Sequence, residues 1–212
     1  VGSYGLLNAQ ELSLVDSFKR ANEGDFVVSS QGKNFTLFHV FEVKGSTLVI
    51  EEISAPMSER KNVKNWQTWI DKQAPAHLSW VMYELDLNTK NIEDMYSFSQ
   101  RSWQKVYPQK LIFPTLNLKK FQKIKLDQRK KAGPKPPLDM PDNRSTWNPP
   151  IYLQGKKLKN TKCDAYQAHW PSDSSELSGK KIEIFLPQDS EELPSYFPFW
   201  IQASNQFAQA KM

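Results

Sequence analysis

The segment that most constrains the fold is residues 24–53, where three strand-like stretches are separated by the short turns Gly32-Lys33-Asn34 and Lys44-Gly45-Ser46. Alternate residues of a strand point to opposite faces of its sheet. Both faces of the middle stretch are largely apolar, with Phe35, Leu37, His39, Phe41 and Val43 on one and Thr36, Phe38, Val40 and Glu42 on the other. The pattern predicts an antiparallel meander whose middle strand is covered on both sides.

Two segments have the periodicity of amphipathic helices. The first, residues 9–22, places apolar side chains on one side and ends at Asn22 and Gly24. The second, residues 58–73, begins at Ser58 and stops before Pro75.

Further strands are predicted along the rest of the chain. Residues 77–87 alternate, 88–91 suit a turn, and 92–103 return as a second strand, with a helix as the alternative. Three more strand candidates follow at 162–170, 180–187 and 196–204. The predicted fold class is α+β, a large, curved, half-barrel-like antiparallel sheet with the N-terminal helix and the second helix packed on it, in a single domain 1–212.

Residues 133–150 have a composition unlike the rest of the chain, because they hold six of its 14 prolines. Such a segment can be neither a helix interior nor a central strand. We therefore expect a polyproline-like extended connection, a strap within the domain that Met140 and Trp147 hold against the core.

The net charge of +5 comes from one segment, because residues 119–136 hold eight basic residues and one acidic residue. A nucleic-acid-binding domain would distribute its cations over a face, so a nucleic-acid partner is not expected. The segment is interpreted as a solvated strand or loop, or as a contact for an acidic protein partner or an anionic membrane surface. The residues proposed for that contact are Lys119, Lys120, Lys123, Arg129, Lys130 and Lys131.

Motifs that would define a common chemistry are absent from the sequence. It contains no phosphate-binding glycine loop, no GxSxG and no HExxH. A single cysteine excludes an internal disulfide. The sequence contains no run of 18 apolar residues, so no transmembrane helix is predicted. Neither a cofactor nor a metal site is expected.

Few residues remain for catalysis. His39, His77 and His169 are the only imidazoles, and each is interpreted as a structural, hydrogen-bonded side chain. Cys163 lacks a protease signature, so a structural thiol is expected. An enzyme that combines one histidine with Glu84 or Asp86, spaced for one strand face, stays open as an alternative.

The aromatic content, 12% of the residues, is the most distinctive feature. Aromatic rings favour strands, and a curved sheet with more rings than its core needs can leave an apolar groove for an acyl chain or an apolar peptide. The residues proposed to line this groove are Phe26, Phe38, Phe41, Trp80, Met82, Tyr96, Phe98, Phe185 and Phe199.

The order of elements resembles the periplasmic lipoprotein carriers, the LolA/LolB-like half-barrels. The resemblance lies in the helix AQELSLVDSFKRAN, the meander GDFVVSSQGKNFTLFHVFEV, the hairpin VMYELDLNTKNIEDMYSF and the closing SGKKIEIFLP and YFPFWIQAS. The pattern WPSDSSELSGKKIEIFLP is also similar to uncharacterised secreted or envelope proteins of bacteria. The resemblance implies a curved sheet over an apolar cavity.

The leading hypothesis is a non-enzymatic, extracytoplasmic (periplasmic or secreted) bacterial protein that binds a lipid, an acyl chain or an apolar segment in a groove of its sheet. The first alternative is an interaction or scaffold module that uses the basic segment, 119–131, and the Pro-rich strap. The second is an enzyme with a dispersed site of histidine and carboxylate.

Overall fold

The structure is a computed structural model that describes residues 11–105, 116, 119–153, 156–159, 161–174, 177–188 and 193–204. Its backbone contacts divide the chain into two compact units. The first unit spans Leu14–Leu118. The second unit combines Glu11–Ser13 with the residues from Lys119 onward. The expectation of a single domain stays a prediction.

The first unit is built on a six-stranded antiparallel sheet whose strands follow one another in chain order. The residues 24–53 form the first three strands, as the sequence predicts. The hairpin over 77–103 is also confirmed, because residues 92–103 return as strands and not as a helix. The strands are β2 (Phe26–Gln31), β3 (Asn34–Lys44), β4 (Thr47–Pro56), β5 (Ser79–Asp86), β6 (Ile92–Ser97) and β7 (Ser102–Gln104).

The two turns of the meander depend on glycine. Gly32 and Gly45 have φ values of 59° and 60°, in the left-handed region that other residues rarely adopt. Two-residue hairpin turns need such positive φ values because their twist then matches that of the strands. These turns set the pairing of Gln31 with Asn34 and of Lys44 with Thr47.

One residue of β3 stands outside the regular pairing. The register of β3 with β4 shifts between Val40, which pairs with Ile50, and Glu42, which pairs with Val49, so Phe41 forms a β-bulge. The bulge returns Glu42 to the face that carries His39. The sequence predicted Glu42 on the opposite face, and that prediction is wrong because it assumed an uninterrupted alternation.

The second helix is shorter than the sequence predicts. Residues Met57–Asn62 form a 3-10 helix, and the α-helix α2 spans only Trp66–Asp71. It begins at Asn65, whose side chain accepts a hydrogen bond from the Thr68 amide at 2.9 Å, and not at Ser58. α2 covers one end of the sheet, where its Trp69 belongs to a cluster of buried side chains. The cluster consists of Phe35, Leu37, Ile53, Ala55, Val63, Trp69, Ala74 and Trp80.

The N-terminal helix over 9–22 is also corrected. Glu11–Ser13 forms the strand β1, which pairs with Lys120–Gln122, because its extended backbone completes the ladder of the second sheet. Helical backbone begins only at α1 (Leu14–Ser17) and continues as a 3-10 helix to Arg20. Residues 9 and 10 lie outside the described residues.

The second unit contains a five-stranded antiparallel sheet with the order β1-β8-β11-β12-β13 and a separate two-stranded ribbon, β9-β10. The last predicted strand begins late, because the Phe197 amide bonds to the Pro194 carbonyl in a turn. The strands are β8 (Lys120–Lys123), β9 (Tyr152–Leu153), β10 (Lys156–Lys157), β11 (Cys163–His169), β12 (Lys181–Pro187) and β13 (Trp200–Ser204).

A cluster of buried residues lies on one face of this sheet, and Tyr166, Ile182 and Ile184 are buried on the other face. The ring of Trp147 packs edge-on against Phe185 with 5.4 Å between ring centroids, so the end of the Pro-rich segment covers the sheet. The buried residues of this cluster are Ile124, Ile151, Cys163, Ala165, Phe185 and Leu193, with Phe199 partly buried beside them.

The α+β class with antiparallel strands is confirmed. In the described part of the chain the strands are divided among a six-stranded sheet, a five-stranded sheet and a two-stranded ribbon, and are not joined in one large sheet. The division follows from the partners of β8, which are β1 and β11 and not β7.

Candidate functional site

A row of directly opposed residues crosses one face of the six-stranded sheet from edge to edge. Directly opposed residues of antiparallel strands project to the same face, so the six side chains of the row are neighbours. In strand order they are Phe26, His39, Glu51, Met82, Tyr96 and Trp103. We call the surface formed by this row, with Phe41, Trp80 and Phe98, the aromatic face.

Four rings of the aromatic face are in mutual contact. Trp80 and Phe98 are stacked, with 4.7 Å between centroids and 26° between planes. Tyr96 meets Phe98 at 5.0 Å and Trp103 at 5.3 Å, both edge to face. Trp80 is buried, whereas Trp103 is 71% exposed, so the cluster rises from the core to the surface. Large exposed ring clusters of this kind are typical of binding surfaces.

A buried carboxylate lies at the middle of the row. Glu51 is 1% exposed, and its Oε1 accepts a hydrogen bond from Trp80 Nε1 at 2.8 Å. Its Oε2 lies 3.0 Å from Nδ1 of His39. With Nδ1–H donating to this carboxylate, Nε2 of His39 is the acceptor nitrogen. Glu51 therefore orients both rings, and the two contacts offset the free-energy cost of burying its carboxylate.

An open depression adjoins the β2–β3 end of the row. Its volume is about 370 Å³, and its lining residues are Glu23, Gly24, His39, Phe41, Glu42 and Gln67. The half-exposed ring of Phe41 stands edge-on to the His39 imidazole at 6.3 Å. An aromatic ring, an imidazole and two carboxylates therefore surround one small volume, and the bulge supplies the ring of Phe41 and the carboxylate of Glu42.

Carboxylates border the aromatic face along the neighbouring row. Glu42 and Glu84 both pair with Val49 of β4 and therefore lie on the same face. Lys44 Nζ lies 3.1 Å from Glu42 and 3.6 Å from Glu84, and its hydrogen bond to Glu42 raises the pKa of Lys44. One lysine facing two carboxylates leaves this border negative.

The structure brings six of the nine predicted groove residues together, namely Phe26, Phe41, Trp80, Met82, Tyr96 and Phe98. Phe38 is on the opposite face, buried against Phe18 at 6.3 Å. Phe185 and Phe199 belong to the second unit. Strand alternation therefore separates Phe38 from the six residues of the aromatic face within the first unit.

The predicted basic contact surface is altered by pairing within the second unit. Lys120 lies 3.6 Å from Glu11, and Lys123 lies 3.0 Å from Asp164. Lys130 places its ammonium over the Trp147 ring, whereas the bridge between Lys131 and Thr146 is a backbone pairing. Lys119 immediately precedes β8.

Arg129 was predicted to be an exposed basic contact residue, and this prediction is wrong. It is buried, and its Nη1 donates to the Cys163 carbonyl at 2.7 Å. Its Nη2 donates to the Trp147 carbonyl at 3.2 Å and to Asn148 Oδ1 at 3.0 Å. Burial lowers the pKa of Arg129. Arg129 thus fastens the end of the Pro-rich segment to β11.

The middle of the Pro-rich segment forms a closed loop, which we call the Pro-rich loop (133–144). Its base is held by hydrogen bonds from the Ala132 amide to the Ser145 carbonyl at 2.8 Å and from Arg144 Nη1 to the Gly133 carbonyl at 2.8 Å. At its tip, Leu138 is 97% exposed and Met140 is 60% exposed. Met140 was predicted to anchor the strap, and its exposure shows that this prediction is wrong.

The other candidate catalytic groups are His77, His169 and Cys163. Nδ1 of His77 lies 2.9 Å from the Ala74 carbonyl oxygen, and His169 belongs to the second unit. Burial raises the pKa of Cys163 to about 11, so its thiol stays protonated at neutral pH. Across the described ranges, His, Cys, Asp and Glu side chains form no group of three or more suited to a metal ion.

The pairing of His39 with Glu51 was missed by the sequence reasoning. The turn at Gly45 folds Glu51 and Glu52 back beside His39. The glycine of this turn was the signal in the sequence that could have predicted a carboxylate next to the imidazole. A regular ladder would have placed Glu52 opposite His39, and the bulge at Phe41 selects Glu51.

These features define an α+β protein with antiparallel sheets, one of which carries an exposed aromatic face around a buried carboxylate. Over the residues that the structure describes, no helix is long and apolar enough to cross a membrane.

The chain belongs to the CT021 protein family, whose model matches residues 36–159. Its fold is similar to the solved structure of the hypothetical protein CT021 from Chlamydia trachomatis, with a TM-score of 0.61. The sequence identity is 16%, and the match covers 93% of this chain and 88% of that one. A search of the curated proteins finds no match. The resemblance to lipoprotein carriers remains an expectation.

Proposed function

We propose that this protein is a non-enzymatic binding protein that holds an apolar segment on the aromatic face of its six-stranded sheet. The observation that carries the proposal is the contiguous cluster of Trp80, Phe98, Tyr96 and Trp103, which rises from the core to an exposed indole. Tryptophan and tyrosine supply most of the binding energy at many protein surfaces, because they bury a large apolar area with little loss of rotational freedom.

The shape of the site favours an occupant that lies along a surface. The rings contact one another at 4.7–5.3 Å, so a ligand packs over them and does not enter between them. A lipid, an acyl chain and an apolar peptide all have the required apolar body. A peptide also reaches the depression at His39 with its polar groups.

The charge of the border distinguishes among these occupants. Glu42 and Glu84 lie beside the row, and Glu23 lines the depression. A fatty-acid carboxylate placed there would be repelled, because like charges a few ångströms apart cost free energy. We therefore propose a neutral or basic apolar peptide segment as the occupant in preference to a free fatty acid.

The test measures the binding of two fluorescent probes to the wild-type protein by anisotropy, namely an apolar peptide that carries one lysine and a labelled fatty acid. Trp103→Ser removes an exposed ring and leaves the core intact. Leu126→Ser is the matched control, because Leu126 is 69% exposed and lies in the second unit.

We expect the peptide to bind, Trp103→Ser to weaken it by about tenfold, and Leu126→Ser to leave it unchanged. Tighter binding of the fatty acid than of the peptide would assign the face to acyl chains. Equal binding by wild type and Trp103→Ser, or no binding of either probe, would refute the proposed function.

A second candidate function is favoured by one observation, the orientation of His39 by buried Glu51 at the edge of the depression. A carboxylate-oriented imidazole is a common general base, and here it would activate a water molecule for hydrolysis. Hydrolysis of neutral nitrophenyl esters that is lost in His39→Gln and kept in Trp103→Ser would establish it. The same slow hydrolysis in wild type and His39→Gln would exclude it.

The location proposed for this protein is extracytoplasmic. The proposal rests on the sequence resemblance to envelope proteins and on a ligand surface suited to apolar segments. Fractionation of the source bacterium, with immunodetection of the protein in the cytoplasmic and extracytoplasmic fractions, tests it. Recovery with cytoplasmic enzymes alone would refute it.

A further inference from the structure

The strand β2 forms one edge of the six-stranded sheet, and its outer side is open. β2 pairs with β3, and no second strand pairs with it among the residues that the structure describes. An edge strand presents unpaired amide and carbonyl groups along its outer side. Charged residues and prolines usually keep further strands from adding to such an edge, and the β2 sequence FVVSSQ contains neither.

The hydrogen bonds at the start of β2 show which of its residues face outward. The Val40 amide of β3 donates to the Asp25 carbonyl at 2.8 Å, so Val40 and Asp25 form a hydrogen-bonded pair. Such pairs alternate with non-bonded pairs along an antiparallel ladder, so the backbone groups of Val27 and Ser29 face β3. The amides and carbonyls of the residues between them therefore point away from the sheet. These outward residues are Phe26, Val28 and Ser30.

The remaining sheet edges in the described part of the chain are shorter. β7, at the opposite edge of this sheet, has three residues and lies between exposed Arg101 and exposed Lys105. The five-stranded sheet ends in β1, with three residues, and in β13, with five. β2 has six residues that pair with β3 in unbroken register, so it offers the longest edge for strand addition.

The side chains of the outward residues indicate what a partner strand would carry. Phe26 is 44% exposed, and Val28 is partly buried against the cluster that contains Trp69. Directly opposed side chains of adjacent strands contact one another, and aromatic rings pair well with β-branched residues. A β-branched residue opposite Phe26 would therefore cover the exposed part of its ring.

We propose that an extended segment of a partner protein adds to β2 as a seventh strand of the sheet, bound through the outward backbone groups of Phe26, Val28 and Ser30. Alternating amides and carbonyls along this edge match the backbone of an extended peptide. A helix bonds its own backbone groups internally, and a lipid chain has none, so neither presents a complementary row. The partner segment carries β-branched residues at alternate positions, next to Phe26 and Val28. The proposal is independent of the proposed function, because β2 and Trp103 lie at opposite edges of the sheet.

The test uses a short fluorescent peptide of alternating valine and threonine whose threonine amides are N-methylated. Only the edge formed by its valines can then hydrogen-bond, which also prevents the peptide from stacking on itself. The control probe is the same peptide with every amide N-methylated. Ser30→Pro removes one outward amide and keeps the bonds to β3, because proline is tolerated where the amide of an edge strand faces outward. Ser30→Ala is the matched control, because it keeps that amide.

We expect wild type, Ser30→Ala and Trp103→Ser to bind the valine-edge peptide equally in anisotropy titrations. Ser30→Pro should bind it about tenfold more weakly, because one hydrogen bond is lost and the proline ring blocks the edge. The fully methylated peptide should not bind. In wild type, hydrogen exchange followed by NMR should slow at the three outward amides when the peptide is added, whereas the amides that face β3 are protected in the free protein as well.

Equal binding by wild type and Ser30→Pro would overturn the proposed strand addition, and so would the absence of binding to wild type. Unchanged exchange of the outward amides at saturating peptide would also overturn it, and this measurement does not depend on the folding of any variant. A wild type that dimerises through β2 and ignores the peptide would assign the edge to a second copy and refute the proposal. Binding of the lysine-containing probe without binding of the valine-edge peptide would refute strand addition and leave the proposed function of the aromatic face in place.

Discussion

The two faces of the six-stranded sheet are made by alternate residues of the same strands, yet they have different environments. On one face, Phe38, Val40, Ile50 and Leu85 are buried, and Phe38 packs on Phe18. On the other, α2 covers the end near Phe35, and the row from Phe26 to Trp103 keeps exposed rings. Both faces are apolar in composition, so the covering element, and not the composition, decides which one is available for binding.

The largest effect is expected from truncating a ring of the covered face. Phe38→Ala should lower the free energy of unfolding by about 3–5 kcal/mol, because it leaves a cavity beside Phe18. Phe41→Ala is the matched control on the same strand, and its half-exposed ring should cost less than about 1 kcal/mol. Urea unfolding of both variants measures the difference, and equal losses would show that the two faces are equally covered.

The pH dependence of stability should also separate the faces. Glu52, on the covered face, accepts a hydrogen bond from the Tyr83 hydroxyl at 2.6 Å. Burial raises the pKa of Glu52 from 4.5 to about 7, against the smaller lowering effect of Tyr83. From pH 4.5 to 7 the unfolded chain releases this proton and the folded chain keeps it, so stability falls as pH rises, by about 3 kcal/mol in total.

Glu52→Gln tests this assignment, because an amide does not titrate. The difference in unfolding free energy between wild type and Glu52→Gln should change across pH 4.5–7 and be constant above pH 7. A flat difference for Glu52→Gln would contradict the raised pKa.

A smaller effect is expected at Glu51. Glu51→Gln keeps an acceptor for Trp80 Nε1 and loses the charge that faces His39, so we expect a loss of about 1–2 kcal/mol in unfolding free energy. The affinity for the apolar peptide probe should fall as well, because the His39 ring loses the carboxylate that orients it. Unchanged stability and affinity would show that the pair does not organise the aromatic face.

The smallest effect on stability is expected at the exposed end of the row. Trp103→Ser should change the free energy of unfolding by less than about 0.5 kcal/mol, because most of the indole is already in solvent. The same substitution should reduce probe binding, as stated above. A large loss of stability would mean that this ring is part of the core, and the binding proposal would lose its main observation.

Local patterns were enough to predict most of the strands of both sheets. The alternation in 34–44 and the glycines at 32 and 45 predicted β2, β3 and β4, since turn chemistry and side-chain period act over a few residues. The same patterns predicted the hairpin of β5 and β6. Six of the nine predicted groove residues share the aromatic face for the same reason.

The remaining features depend on tertiary contacts that no local pattern contains. The middle strand was predicted to be covered on both sides, and this holds for residues 35–40, where both faces are buried, but not for Phe41 and the residues after it, because α2 spans only Trp66–Asp71. Arg129 was predicted to be exposed from its basic neighbours, and its burial depends on carbonyls of Cys163 and Trp147, 34 and 18 residues away. The division of the strands between two sheets likewise depends on the partners of β8.

The bulge in β3 has a consequence for how this chain tolerates change in length. Val40 and Glu42 pair with consecutive residues of β4, so removal of Phe41 would close a regular ladder and keep every backbone partner. The backbone pairing of the sheet therefore does not depend on Phe41. What Phe41 contributes is its ring beside the His39 imidazole, and a shortened chain would retain its architecture and lose one wall of the depression.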